Sequence, residues 1–378
     1  MNAFASLHKR IAMTAMVSLI GSLPAAAATF VYISNAEDGD ISSYRMLDSG
    51  ELQAIARTKA AAMAMPMTVS QDRRFLYAAV RSKPYTVYTY AIDRNTGALA
   101  QVSSSPLADS FPYISLDRTG RYLLAASYGG NVVSVNAVGS DGRVSSEPLQ
   151  VIPVGRNAHS IRVDHANRRV YVPTLGSDAI FVFDFDAATG KLTSATPAVF
   201  LTKPATGPRH FEMSADGKYV YLLSEFTGEV TTLAVDGKTG LLSETGSAKA
   251  LPADTKLVTG AARGSMPGRN LDNDIWAADV HMTPNGKFMY ASERTSSSIG
   301  AFAVDASTGK LTYLSSTPTE KQPRGFAIDP TGKFLVATGE KSENVSVYAI
   351  DGATGTLKPV AKAPVGKGAN WVEIVRFD

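Results

Sequence analysis

Short apolar runs broken by polar turns recur along the whole chain, and their signals are those of strands alone. A hairpin signature closes on Gly at each of seven places, from Asp48 to Leu52, Asp93 to Leu99, Ser140 to Val144, Asp186 to Leu192, Asp236 to Leu242, Asp305 to Leu311 and Asp351 to Leu357. Gly supplies the positive φ of a tight turn, while Asp and Thr bond back to the local backbone. From aspartate to aspartate (Asp141 in the third copy) the spacings are 45, 48, 45, 50, 69 and 46 residues. A period in the forties built only of strands predicts an all-β, seven-bladed β-propeller with four antiparallel strands per blade.

A second signal runs out of phase with the first and marks the inner strand of each blade with its return strand. It is found at Pro66 to Tyr77, Tyr113 to Tyr122, His159 to Asp164, Gly207 to Val230, Ala278 to Phe288 and Arg324 to Phe334. These are six inner strands, and the seventh blade is split. Trp371 to Val375 supplies its innermost strand, with Phe30 to Ser34 and Ile41 to Tyr44 as partners. Both termini thus share one blade, which closes the ring and leaves no open array edge. The 69-residue interval contains an insertion, about residues 247–274, rich in Ala, Gly, Pro and Asn. Because it leads into Trp276, it is placed over the same face as the charged edge described below. A loop of that length in a compact fold is usually functional or mobile.

The first 28 residues stand apart from this pattern. His8, Lys9 and Arg10 precede an apolar stretch from Ile11 to Leu23, and Ala26 to Ala28 form a small-residue cleavage site. This is a signal peptide, so residues 29–378 form a single exported propeller domain, placed in the periplasm. No later stretch reaches the roughly 20 apolar residues of a membrane span, so no stable membrane association is expected.

Removing the leader leaves 35 basic and 34 acidic side chains. So balanced a chain lacks the basic face that nucleic-acid binding needs. There are no cysteines, which excludes disulfides, thiolate zinc sites and a cysteine nucleophile. Neither a nucleophile elbow nor a zinc-protease helix motif is present.

Aligning the inner strands on their turns puts Pro112, His159, Arg209, Ala278 and Arg324 in one slot, with Tyr113, Ser160, His210, Asp279 and Gly325 in the next. The return strands bring Tyr128, Glu225, Glu293, Arg294 and Glu340 to the same face. In the stretch Gly207 to Val230 the turn at Asp216 and Gly217 folds Arg209, His210 and Glu225 onto one sheet edge. Three of the four histidines outside the leader, His159, His210 and His281, fall on this rim or just inside it; His165 lies in a turn. A cation, an imidazole and a carboxylate in equivalent slots of different blades could activate water and hold an oxyanion. Either His159 or Glu225 could take the proton; Arg209, with Arg294 or Arg324, would face the carbonyl oxygen. His210 and Asp279 would orient the set, and His281, two residues deeper along its strand, would line the channel or support the set from behind.

At these residues the chain resembles the seven-bladed propeller lactonases, the family of the bacterial 6-phosphogluconolactonase and the fungal carboxymuconate cyclase. The matching pieces are Gly207 to His210 with Glu225, Trp276 to Asp279 with His281, Thr283 to Gly286, Glu293 to Thr295, Gln322 to Phe326, Gly339 to Ser342 and Trp371 with Val372. The resemblance implies a metal-independent lactonase with no cofactor. It puts the catalytic set at His159, Arg209, Glu225 and Arg294, with Tyr128, His210, Asp279, His281 and Arg324 as substrate contacts. The family's phosphogluconolactonases are cytoplasmic, whereas this chain carries an export signal, so the expected substrate is the unphosphorylated D-glucono-1,5-lactone. The alternatives are 6-phosphogluconolactone, an unsaturated diacid handled by a cyclase or lactonase, and a propeller that binds ligand or protein without turnover. A closed ring leaves no edge to pair, so a monomer is expected.

Overall fold

A computed structural model of the chain describes residues 27–262, 265–266 and 268–378. Their strands form seven sheets of four, each antiparallel throughout. We number the blades from the N-terminus. Blade 1 has Ala369–Phe377 innermost, then Ala28–Asn35, Asp40–Met46 and Leu52–Lys59. Blades 2 to 7 run over residues 64–106, 113–153, 162–201, 208–249, 277–318 and 326–364. Inner strands of successive blades touch, and blade 7 touches blade 1, so the sheets stand in a ring around a central channel. Beyond these strands the described residues hold one 3₁₀ turn, Leu175–Ser177, and no helix long and apolar enough to cross a membrane.

The split blade is as the sequence predicts. Val31 lies opposite Ile374 and Tyr32 opposite Glu373, so the C-terminal strand fastens the N-terminal one. The first strand begins at Ala28, one residue ahead of the expected mature start. Residues 1–26 of the expected leader lie outside the described residues.

Why the return strands read as unbroken apolar runs follows from the ring. Each is sandwiched between two blades, so both of its faces are buried. Phe30 and Tyr32 face the seam with blade 2, in one cluster with Leu76 and Ala78, while Val31 and Ile33 face the seam with blade 7, against Val336 and Val345. Seven such clusters fill the seven seams.

The hairpins recognised in the sequence dock across these seams. Gly97, with φ +72°, lies so close to Phe30 of the preceding blade that a Cβ would overlap its ring; Gly142 lies on Phe75 in the same way. The contact recurs around the ring, with Arg169 in place of the ring against Gly240. Buried hydroxyls pin the same turns. Tyr32 donates to Gly97 O at 3.0 Å, Tyr171 to Gly240 O at 3.0 Å and Tyr290 to Gly355 O at 2.8 Å.

Two glycines separate backbone strain from docking. Gly97 and Gly120 share φ near +70°, but around Gly120 the space is open. Alanine at either should lose about 1–2 kcal/mol to the left-handed backbone, and Gly97→Ala should lose about 1–3 kcal/mol more by overpacking. Urea unfolding of the two variants measures the difference; equal losses would mean that the seam does not depend on this contact.

Candidate active site

Inner strands start, and return strands end, at the face of the ring opposite the hairpins, here called the top face. Six residues after Phe75 comes Arg81, and the same count from Tyr122, Tyr219, Phe288 and Phe334 reaches Tyr128, Glu225, Arg294 and Glu340. Arg81 is thus the blade 2 member of the return-strand slot that supplies the other four. It is a site residue absent from the motif-based reading, and that six-residue count is the signal that finds it.

The inner strands carry a local irregularity at the site. Between Pro208, paired with Ser224, and Phe211, paired with Leu222, blade 5 has one residue more than its partner strand. The same excess occurs between Ala277 and Val280 in blade 6. Such a bulge breaks the alternation of side chains. Arg209 and His210 are therefore neighbours that both reach blade 6: an Nη of Arg209 donates to Ala278 O, and His210 Nδ1 lies 2.8 Å from Asp279 Oδ1.

Glu225 is the hub. Its Oε2 accepts from Arg209 Nε at 2.7 Å and from Arg294 Nη2 at 3.0 Å, and its Oε1 from the indole Nε1 of Trp276 at 3.1 Å. The Arg294 guanidinium also lies 3.7 Å over the Trp276 ring, a cation–π contact, and donates from Nε to Trp276 O at 3.0 Å. Burial pulls Arg209 down to about 10 and Arg294 to about 9, with Glu225 opposing the shift, so both stay charged at neutral pH. Trp276 arrives from the long interval. The expected insertion at about 247–274 begins later in the structure, because residues 247–249 still belong to the outer strand Leu242–Lys249 of blade 5; beyond it Gly260 N donates to Phe226 O at 2.8 Å and Ile275 N to Val258 O at 2.8 Å, next to the end of the blade 5 return strand.

A cavity of about 200 Å³ opens above this hub, lined by Arg81, Pro112, Tyr128, His159, Glu225, Trp276, Arg294 and Arg324. It is smaller than the ~300–1,000 Å³ of sites for drug-sized ligands, so it suits a small molecule. Arg324 pairs with Glu340 at 3.5 Å. His159 is 4% exposed, and its Nδ1, itself shut off from solvent, has no hydrogen-bond partner among the described residues. Burial, then Arg209, holds this imidazole well below its usual range, so it is neutral at pH 7.

The structure sorts the expected residues into two groups. His159, Glu225, Arg294, Arg324 and Tyr128 line the cavity, with Arg209, 1% exposed, directly behind Glu225. The expected substrate contacts at His210, Asp279 and His281 are arranged otherwise. Asp279 and His281 line a separate cavity of about 340 Å³ in the central channel, and His210 stands between the two spaces. Asp279 Oδ2 lies 3.2 Å from His281 Nε2, His281 Nδ1 is 3.6 Å from Glu212, and Glu212 bonds Arg162 at 3.0 Å. Against the opposing pull of its partial burial, half-exposed His281 is raised to about 10 by Asp279 and Glu212; burial and Arg209 push the buried His210 down to about 3. Glu293 is spent on its own loop, accepting from Trp276 N at 2.6 Å and Ser296 N at 2.6 Å. Among the described residues, no three His, Asp or Glu side chains converge as metal ligands.

This geometry has known relatives. Residues 28–374 match the family described as lactonase, 7-bladed beta-propeller. The 6-phosphogluconolactonase of Serratia proteamaculans is 36% identical over 91% of this chain and 98% of its own length, and that of Pectobacterium carotovorum 35% identical over 92% and 99%. Among solved structures, the periplasmic gluconolactonase of Pseudomonas aeruginosa superimposes with a TM-score of 0.81 at 26% identity, covering 93% of this chain and 99% of its own. Matched along nearly its whole propeller, the chain belongs to the seven-bladed β-propeller lactonase family.

Proposed function

We propose that the chain hydrolyses a six-carbon sugar lactone, D-glucono-1,5-lactone, at the top-face cavity and does so in the periplasm. The observation that carries this reading is His159, a buried neutral imidazole lining one small cavity together with Arg294 and Arg324. The leader sequence and the likeness to a periplasmic gluconolactonase support the location and the substrate.

His159 takes a proton from water as the water oxygen adds to the lactone carbonyl. The oxyanion that forms faces the guanidinium groups of Arg294 and Arg324. Collapse re-forms the carbonyl and breaks the ring C–O bond, and the ring oxygen leaves as an alcohol carrying the proton returned by His159. The acid formed at the carbonyl carbon gives up the second water proton to solvent, and the product carboxylate stays opposite the same arginines. Of the two possible bases, Glu225 is the poorer, because both its oxygens already accept hydrogen bonds, two of them from cations. Its role is to hold Arg294 in place, and Arg209 holds Glu225 from behind.

Proton release at constant pH from freshly dissolved glucono-1,5-lactone, with the spontaneous opening subtracted, tests the assignment. His159→Ala should lower kcat by about 10²- to 10⁴-fold in a protein that still folds, as for loss of a general base. Turnover that survives unchanged in this variant would remove His159 as the base, and no turnover in the natural chain would remove the substrate.

The pH profile is a second check. A base whose folded pKa is lowered stays unprotonated, and active, down to that lower pKa. Because His159 is held well below 6.5, kcat/KM should be level from about pH 8 to 6 and fall only at lower pH. An acid limb centred near the ordinary histidine value of about 6.5 would contradict a buried base.

A further inference from the structure

Two buried imidazoles meet beneath the top-face cavity, His159 of blade 4 and His210 of blade 5. Their rings touch edge-on, with centroids 5.2 Å apart. Among the described residues His159 Nδ1 and His210 Nε2 have no hydrogen-bond partner, and both atoms are shut off from solvent. The other nitrogen of each ring has a task. His210 Nδ1 lies 2.8 Å from Asp279 Oδ1, and His159 borders the cavity, which leaves its Nε2 to face that space.

Counting protons assigns the tautomers. Against its burial, charged His281 and the hydrogen bond of His210 hold the Asp279 carboxyl well below the usual range, so it only accepts. His210 is neutral, and its single hydrogen therefore sits on Nδ1 and leaves a bare lone pair on Nε2. His159 is neutral too. To take a proton on Nε2 it must keep that nitrogen bare and carry its hydrogen on Nδ1. One ring thus holds a sealed donor and its neighbour a sealed acceptor, each costly to leave unmet. At this ring separation, edge atoms turned toward one another come within hydrogen-bond reach, and the torsion that turns a histidine ring is soft.

The surroundings leave His159 as the ring that turns. His210 is packed by Tyr113 of blade 3 at 5.1 Å and by Trp371 of blade 1 at 6.2 Å. Its anchor Asp279 is itself fixed, accepting from Val280 N at 3.1 Å and from Phe326 N of blade 7 at 3.4 Å. The charged groups that face His159 are Arg209 and Arg324, which carry donors only and cannot accept from Nδ1.

We propose that Asp279 and His210 form a relay behind His159, in which His159 Nδ1–H donates to His210 Nε2 and His210 Nδ1–H donates to Asp279. This rests on His159 being the base. His210 is a positioning residue: it keeps the lone pair of His159 on Nε2, toward the cavity, and accepts from the imidazolium formed when the water proton is taken. Neither Nδ1 gives up its hydrogen.

Nitrogen spectra of the chain with isotope-labelled histidine report which ring nitrogen carries the hydrogen, and His159→Ala and His210→Phe identify the two signals. At neutral pH both rings should be neutral with the hydrogen on Nδ1. Asp279→Asn, which offers a donor to His210 Nδ1, should move the His210 hydrogen to Nε2. Either that variant or His210→Phe should lower kcat for glucono-1,5-lactone about 10- to 100-fold with KM unchanged, as for loss of a hydrogen bond to a charged group. His210→Gln, whose amide can donate to Asp279 and accept from His159, should restore part of the kcat lost in His210→Phe. If Asp279→Asn does not fold, the spectra of the natural chain and the two His210 variants decide. A hydrogen on Nε2 of either ring in the natural chain overturns the proposal, as does an unchanged kcat in His210→Phe or an equal loss in His210→Gln. The expected tautomers in a chain that opens no lactone would keep the relay and remove the lactonase reading.

Discussion

Two guanidinium groups, of Arg209 and Arg294, are buried within reach of a single carboxylate, Glu225, and most of the top face is arranged by that contact. Charges taken out of water are tolerated only when paired and hydrogen-bonded, so each member constrains the others. Arg209 comes from the inner strand of blade 5, Glu225 from the end of its return strand, and Arg294 from the return strand of blade 6. Backbone follows the side chains: Ala277 N donates to Glu225 O, and Arg209 reaches Ala278 O. Blades 5 and 6 are thereby joined at the site, and the long interval between them delivers Trp276 to the remaining carboxylate oxygen. What lines the cavity is the working side of this structural knot.

Beneath the knot, a chain of rings separates the two cavities of the axis. Tyr128 meets His159 edge-on at 5.7 Å, His159 meets His210 at 5.2 Å, and Tyr113 stands between His210 at 5.1 Å and Trp371 at 5.6 Å. The top cavity is therefore floored by this chain of rings, and the His159 imidazole set in that floor is desolvated by it. Trp371 belongs to the strand that closes the ring. Completing the propeller and completing the floor of the site are the same event. Asp279 serves this floor from below, fixing the Nδ1 side of His210, and the alternating charges of His281, Glu212 and Arg162 continue down the channel.

The features legible in the sequence are those repeated by the fold. Seven hairpins and six inner strands carry the architecture, and the same alignment brings His159, Arg209, Glu225, Arg294 and Arg324 to one face. What escaped is what repetition does not encode. The bulges after Pro208 and Ala277 shift side chains by one position without changing any residue type. Counting along the strand put His281 deeper, toward the channel whose cavity it lines, but slot counting could not tell that His210 and Asp279 turn into the floor. Arg81 escaped for another reason: it sits outside every motif that carries the family resemblance, and only its place six residues after Phe75 gives it away.

Cavity size is a poor guide to function in such a ring, and this chain shows why. A cavity of about 440 Å³ lies on the hairpin face between blades 4 and 5 rather than at the top. Six blades put an aromatic ring beneath the next hairpin glycine, and blade 4 puts Arg169 there, whose head group turns to Asp184. A flat ring is replaced by a narrow stem, and the seam opens. Of the acids lining it, Asp164 and Asp236 cap their own turns, and Asp216 binds Ser214 and Lys218. These groups are already committed to the backbone and to each other. At the top, by contrast, a space less than half as large is bordered by the neutral His159 ring and by Arg81, which among the described residues has no carboxylate within ion-pair distance and bonds only Ser110 Oγ. Charge left without a partner carboxylate, more than volume, is what sets the top-face cavity apart in a ring of near-identical blades.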